Sequence, residues 1–227
     1  METKKGLEEL SKRKKYLVVG DGQFTYDREG DDKPKSPYFS RRIHHPSMGS
    51  GITIGRGYDL SRHELDETKK DLLEAGMPPE QVDKYVWYDK NENDYAGLGD
   101  LEGKDATDYV KNNRDRLEEI SGEVQKRLFE IDYQRKKNKA IKRYGEERAK
   151  NPKLEEWDKL DEAVKIIALD IRFQRGHWNP KQLEMIGMND LEKLAKHISG
   201  DPTIEDYENG RGRANFLRCC KNKSNKK

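Results

Sequence analysis

The chain has 227 residues, with 46 Lys+Arg against 44 Asp+Glu, a formal net charge of +2, and 40% charged against 32% hydrophobic residues. That length suits one domain or two packed lobes. No run approaches the ~18 apolar residues of a membrane span, and near-balanced charge argues against a general nucleic-acid binder. The two cysteines, Cys219 and Cys220, are neighbours, which excludes a disulfide scaffold or a zinc site built from them alone. Met1–Leu10 lacks the apolar stretch of a secretory signal, so synthesis in the cytoplasm is expected.

In chain order, Tyr16-Leu-Val-Val is β-prone, and Asp21-Gly22 ends a strand or caps a short helix. Gln23 to Arg28 predicts a short helix stopped by Gly30, followed by a polar loop from Asp31 to Ser50. Gly51-Ile-Thr-Ile-Gly-Arg-Gly-Tyr-Asp-Leu60 alternates, turns at its glycines and alternates again, which predicts a β-hairpin. Ser61-Arg-His-Glu64 reads as a capping box opening a helix through Leu65, Leu72 and Leu73, with Gly76 as its stop. Leu117, Ile120, Val124, Leu128 and Ile131 make one amphipathic stripe, with an interruption at Ser121-Gly122, and Lys136–Lys153 reads as a solvated helix face or linker. Asn151-Pro152 is expected to start a helix carrying Leu154, Trp157, Leu160, Val164, Ile167 and Ile171 and ending at Gly176. Asn179-Pro180 and Asn189 start two short helices, the second stopped by Gly200. These stripes are core positions, and Trp87, Trp157 and Trp178 are read as packing rather than sugar stacking. The chain is basic from Arg211 to Lys227, a solubilising end.

Two features carry chemistry. Thr53 and Asp59 lie three residues either side of Arg56, so a turn centred there makes them cross-strand neighbours, ~5 Å apart at Cβ. A hydroxyl beside a carboxylate can hold and deprotonate one water, although β propensity alone also accounts for the threonine. Glu29 stands at the end of a short helix, where the negative end of the dipole and any burial favour the protonated carboxyl that a general acid requires.

Taken together, Glu29-Gly30, Tyr38-Phe-Ser-Arg41 and Ser50-Gly-Ile-Thr-Ile-Gly-Arg-Gly-Tyr-Asp-Leu60 resemble the catalytic region of pesticin-type muramidases, relatives of the T-even phage lysozymes. Ala168-Leu-Asp-Ile-Arg-Phe-Gln-Arg-Gly176 is similar to the buried C-lobe helix of the phage enzymes, and Gly212-Arg-Ala-Asn-Phe-Leu-Arg218 to their last helix. Residues 90–153 do not align. The resemblance implies an α+β, mostly helical, lysozyme-like two-lobe fold with substrate between the lobes. It implies an N-terminal extension (1–20), a catalytic domain (21–218, small lobe 21–75 and helical lobe 76–218) and a basic tail (219–227). It further implies Glu29 as general acid, Thr53 and Asp59 as holders of the water, and Gln174 and Arg213 as substrate-binding residues. The phage branch carries its aspartate before the threonine, where this chain has Ser47. The pesticin branch carries it six residues after, where Asp59 stands, with Asp66 and Asp27 as the alternatives. Tyr58 stands where the phage enzymes carry a histidine, so the resemblance does not carry over the pairing that histidine makes.

The implied activity is hydrolysis of β-1,4 bonds of peptidoglycan, with inversion and without metal or other cofactor. The expected partners are the glycan strands, with an immunity or inhibitor protein as a further candidate, and the expected state is a monomer acting on the bacterial cell wall after release or delivery. Two rival classes are a basic-patch nucleic-acid-binding protein and an inactive wall-binding module on the same fold. A metalloprotease motif fails because position 67, where His63-Glu64 needs a second histidine, is Glu67.

Overall fold

The computed structural model describes residues 15–36, 38–46, 49–89 and 95–224; Ser47 and the ends of the extension and tail lie outside them. The chain is mostly helical with small antiparallel sheets, an α+β protein. It divides into two compact units, 1–132 and 133–227.

In the first unit, the apolar run at Tyr16 forms a 3-10 turn, Lys15–Leu17, and not a strand. Its polar groups are taken locally: the Tyr16 hydroxyl donates to Asp32 (2.6 Å) and the Val19 N–H to the Gln23 side chain (3.0 Å). Helix α1 (Gln23–Tyr26) starts at Gly22 in the left-handed conformation and buries Phe24, Thr25 and Tyr26. Strands β1 (Thr53–Ile54) and β2 (Tyr58–Asp59) form the predicted hairpin. Positive φ at Gly55 (63°) and Gly57 (86°) is what the three-residue turn requires.

The capping box read at Ser61–Glu64 does not form. The Ser61 hydroxyl is committed to Asp59 (2.8 Å), and Asp59 caps a 3-10 turn, Leu60–Arg62. Helix α2 (Leu65–Glu74) therefore begins three residues later, with Glu64 at the N-cap position and no side-chain cap. Helix α3 (Pro79–Val86) follows, with Pro79 in its first turn, where the missing N–H costs nothing. Strands β3 (Trp87–Asp89) and β4 (Tyr95–Gly97) pair antiparallel, a second small sheet the sequence reading did not anticipate. Helix α4 (Gly103–Asn113) and the first turns of α5 (Gly122–Lys150) complete the unit. The interruption at Ser121-Gly122 is a true helix start, with the Ser121 hydroxyl accepting from the Val124 N–H (3.1 Å). Ile43, Ile52, Ile54, Leu60, Leu72, Val86, Ala106, Ile120 and Leu128 share one core. Leu72, Val86 and Ala106 thus pack with the hairpin residues Ile52 and Ile54 inside the first unit.

In the second unit, α5 continues to Lys150, so the charged stretch is helix and not linker. The helix expected from Asn151 starts ten residues later as α6 (Glu162–Arg175), capped by Asp161, whose carboxylate accepts from the Ala163 N–H (2.8 Å). The intervening residues turn, because the Asn151 N–H still closes α5 onto Glu147 and Leu154 returns its N–H to Asn151. Helix α7 (Pro180–Gly187) has the full capping box of Asn179 and Gln182. Helix α8 (Leu191–Ile198) is capped by Asp190 and not Asn189, whose side chain holds the Asp161 N–H (2.7 Å). Helices α9 (Glu205–Arg211) and α10 (Arg213–Ser224) follow, and α10 packs on α8 and α6. Tyr144 stands edge-on to Trp157 (5.3 Å) and Trp178 (6.2 Å), so both tryptophans are packing residues.

Leu154 lies against Gly187. A Cβ there would sit 2.4 Å from Leu154 Cδ2 and 3.1 Å from its Cα. Gly187→Ala is expected to destabilise by about 1–3 kcal/mol despite alanine's better helix propensity, read as a lower urea midpoint. An unchanged midpoint would mean that Leu154 moves aside freely.

Candidate functional site

The hairpin register sets Thr53 directly opposite Asp59 and Ile54 opposite Tyr58, as the symmetry about Arg56 predicts. Thr53 is buried, and its backbone is fixed by two bonds to His44 (2.9 and 2.8 Å). The Asp59 side chain keeps 16% of its surface. Its Oδ1 accepts from the N–H (3.0 Å) and hydroxyl (2.8 Å) of Ser61, and its Oδ2 from the Gly51 N–H (3.4 Å), with Arg62 Nε at 3.7 Å. Those contacts fix the carboxylate's orientation and give it a capping role as well.

Glu29 follows α1, is partly exposed, and is held by its N–H to the Thr25 carbonyl (3.1 Å). The turn residue Arg56 connects this segment to the hairpin. It is 5% exposed, donates to the Tyr26 carbonyl, and lies 4.1 Å from the centre of the Tyr26 ring. Burial pulls the Arg56 pKa down, with Tyr26 and nearby aspartates opposing, and burial pushes the Tyr26 phenol up. Tyr26 in turn packs edge-on against Phe129 (4.9 Å). The structure thus brings Thr53 and Asp59 together and ties their hairpin to the segment that carries Glu29. The alternatives Asp27 and Asp66 are exposed; Asp27 accepts from Gln23 and Asp66 sits in the first turn of α2.

Arg56 and Asp71 were missed as site-building residues. A lone arginine between two glycines signals only a turn, and nothing local announces that it is buried. Asp71 is the partner that Tyr58 finds: the phenol donates to its Oδ2 (2.8 Å), and the Tyr58 ring stacks on His63 (4.3 Å, 12°). Tyr58 therefore binds a buried carboxylate through its hydroxyl.

Gln174 and Arg213 belong to the second unit and touch one another: the guanidinium donates to the Gln174 side-chain oxygen. Arg213 is fully buried, with Nε 2.7 Å from Asp170, so it meets Gln174 and Asp170 where a substrate contact was expected. Gln174 is partly exposed.

His44 offers a pH handle beside the hairpin. Burial lowers its pKa from 6.5, outweighing the Arg42 carbonyl, which raises it; Arg114 and His45 lower it further, and Asp59 raises it. A lowered folded-state value means that the unfolded chain binds the proton first, so stability is complete above ~6.5 and falls as the pH drops below it, by up to ~1.4 kcal/mol per pH unit. Urea midpoints between pH 7.5 and 5 are expected to fall less steeply in His44→Gln than in wild type; equal slopes would remove His44 from the acid response.

Residues 22–211 match the family model described as "Domain of unknown function (DUF8812)". The chain belongs to this family. The matched span runs from the start of α1 to the end of α9 and so includes Glu29, Thr53, Asp59 and Gln174, while Arg213 lies just beyond it. No curated protein matches the chain.

Proposed function

We propose that the chain is an N-acetylmuramidase with a lysozyme-like fold of the pesticin type, cleaving β-1,4 bonds of peptidoglycan with inversion. The observation that carries this reading is the Thr53–Asp59 register, on a hairpin whose tip Arg56 anchors to the helix preceding Glu29. Glu29 protonates the leaving glycosidic oxygen as positive charge builds at the anomeric carbon. Asp59, oriented by Ser61 and Gly51, takes a proton from a water that the Thr53 hydroxyl helps position, and that water attacks from the opposite face. Inversion needs room for the water, a carboxyl separation of ~6.5–9.5 Å against ~5–5.5 Å for retention. Gln174 is the substrate-binding candidate, and Arg213, without exposed surface, acts as the residue that positions it. Among the described residues no helix is long and apolar enough to cross a membrane.

Purified peptidoglycan treated with the protein, then reduced with borohydride and hydrolysed, is expected to yield reduced muramic acid, equally in the presence of a chelator. Reduced glucosamine in its place would indicate a glucosaminidase. Binding to the wall with no new reducing ends would identify an inactive binding module, in which Asp59 serves only as a cap.

A further inference from the structure

We propose that His63, Glu67 and Asp71 form a binding site for a divalent cation, with Zn2+ as the preferred ion and a structural role separate from the glycosidic chemistry. His63 follows the Leu60–Arg62 turn in extended backbone, and Glu67 and Asp71 lie one turn apart on α2. One donor atom from each of the three falls within 4.8 Å of the others, and His63 Nδ1 is 3.3 Å from Glu67 Oε2. Tetrahedral zinc with ligands at ~2.0–2.2 Å spaces its donors about 3.4 Å apart, so small side-chain rotations close the set. One imidazole and two carboxylates suit Zn2+, with Mn2+ as the harder competitor. Glu67 replaces the second histidine of a metalloprotease motif, which moves the donor set without abolishing it.

The surroundings of these donors match what metal sites require beyond their ligands. A metal-bound histidine presents its other ring nitrogen to a carboxylate, and ligating carboxylates are themselves hydrogen-bonded. Here Nδ1 faces Glu67, while Nε2 faces the buried Asp132 carboxylate at 3.7 Å. Tyr58 donates to Asp71 Oδ2 and lies flat against the imidazole, fixing both from strand β2. With a cation on the Nδ1 side, the one N–H of a neutral imidazole lies on Nε2, facing Asp132. The Glu67 side chain is 39% exposed, which gives an ion a way in.

The chelator-treated protein titrated calorimetrically with Zn2+, and separately with Mn2+, at pH 7.5 tests the site. The expected result is one Zn2+ bound per chain, with affinity weakened at least about tenfold in Glu67→Gln. The wild-type melting temperature should rise with Zn2+ and that of Glu67→Gln should not. Glu67→Gln changes a partly exposed group, and its metal-free melting temperature reports whether it folds. Should it fail to fold, Co2+ on the wild type replaces it: a visible absorption spectrum of tetrahedral cobalt supports the site. No Zn2+ binding by the wild type, or equal binding by a folded Glu67→Gln, overturns the proposal. None of these readouts depends on peptidoglycan hydrolysis, so the site and the muramidase reading fail independently.

Discussion

Glu29→Gln is expected to lower the rate of reducing-end release from peptidoglycan by about 10²–10⁴-fold, the range in which a positioned general acid contributes. The loss should fall on kcat with KM nearly unchanged, because the amide keeps the shape of the carboxyl but has no proton to give to the leaving oxygen. Folding should be unaffected, because Glu29 is partly exposed and glutamine keeps the size and shape of its side chain; an unchanged urea midpoint checks this. Asp27→Asn, two residues earlier on an exposed carboxylate, is the matched control and should keep most of the activity. Full activity in Glu29→Gln would remove Glu29 as the acid, and full activity in Asp59→Asn with loss in Asp66→Asn or Asp27→Asn would move the water-holding role to one of those carboxylates.

The largest stability effect is expected at Asp170. This carboxylate has no exposed surface, and it faces two arginines, Arg211 Nη1 and Arg213 Nε, each at 2.7 Å. Burial pulls the Arg213 pKa down, Asp170 is the main group that opposes it, and the neighbouring Arg211 lowers it further. Asp170→Asn removes the negative charge and leaves two guanidinium groups largely desolvated. Breaking a buried pair in this way costs about 3–5 kcal/mol, a large part of the ~5–15 kcal/mol by which domains are usually stable. The urea midpoint of the second unit should fall accordingly. A loss below about 1 kcal/mol would show that water or Glu208, 3.6 Å from Arg213, takes over the charge.

Much of this architecture is legible in the chain where the signal is local. Gly55 and Gly57 around Arg56 fix the hairpin and with it the Thr53–Asp59 pairing, because a two-residue period and a turn leave few registers open. Asn179, Pro180 and Gln182 spell a complete capping box, and the helix begins where they say. Local signals fail where side chains have long-range partners. Asn151-Pro152 looks like a helix start, yet Leu154 is drawn onto Gly187 and the helix waits for Asp161. Ser61 looks like a cap for α2, yet its hydroxyl serves Asp59. The same limit applies to the site. Glu29 looks like any surface acid among 44 acidic residues, and only the tertiary tie through Arg56 and Tyr26 sets its segment beside the hairpin. Asp71 meets Tyr58 across thirteen positions, a distance at which no motif speaks.

In the proposed mechanism a protein acid and a water held by Thr53 and Asp59 act on opposite faces of one sugar. Proton NMR of a soluble β-1,4 glycan fragment of peptidoglycan, followed during the first minutes of cleavage, reads this from the anomer released first. Inversion of a β-1,4 bond releases the α-anomer first, before mutarotation mixes the two forms. First release of the β-anomer, or no cleavage by the folded protein, would contradict it.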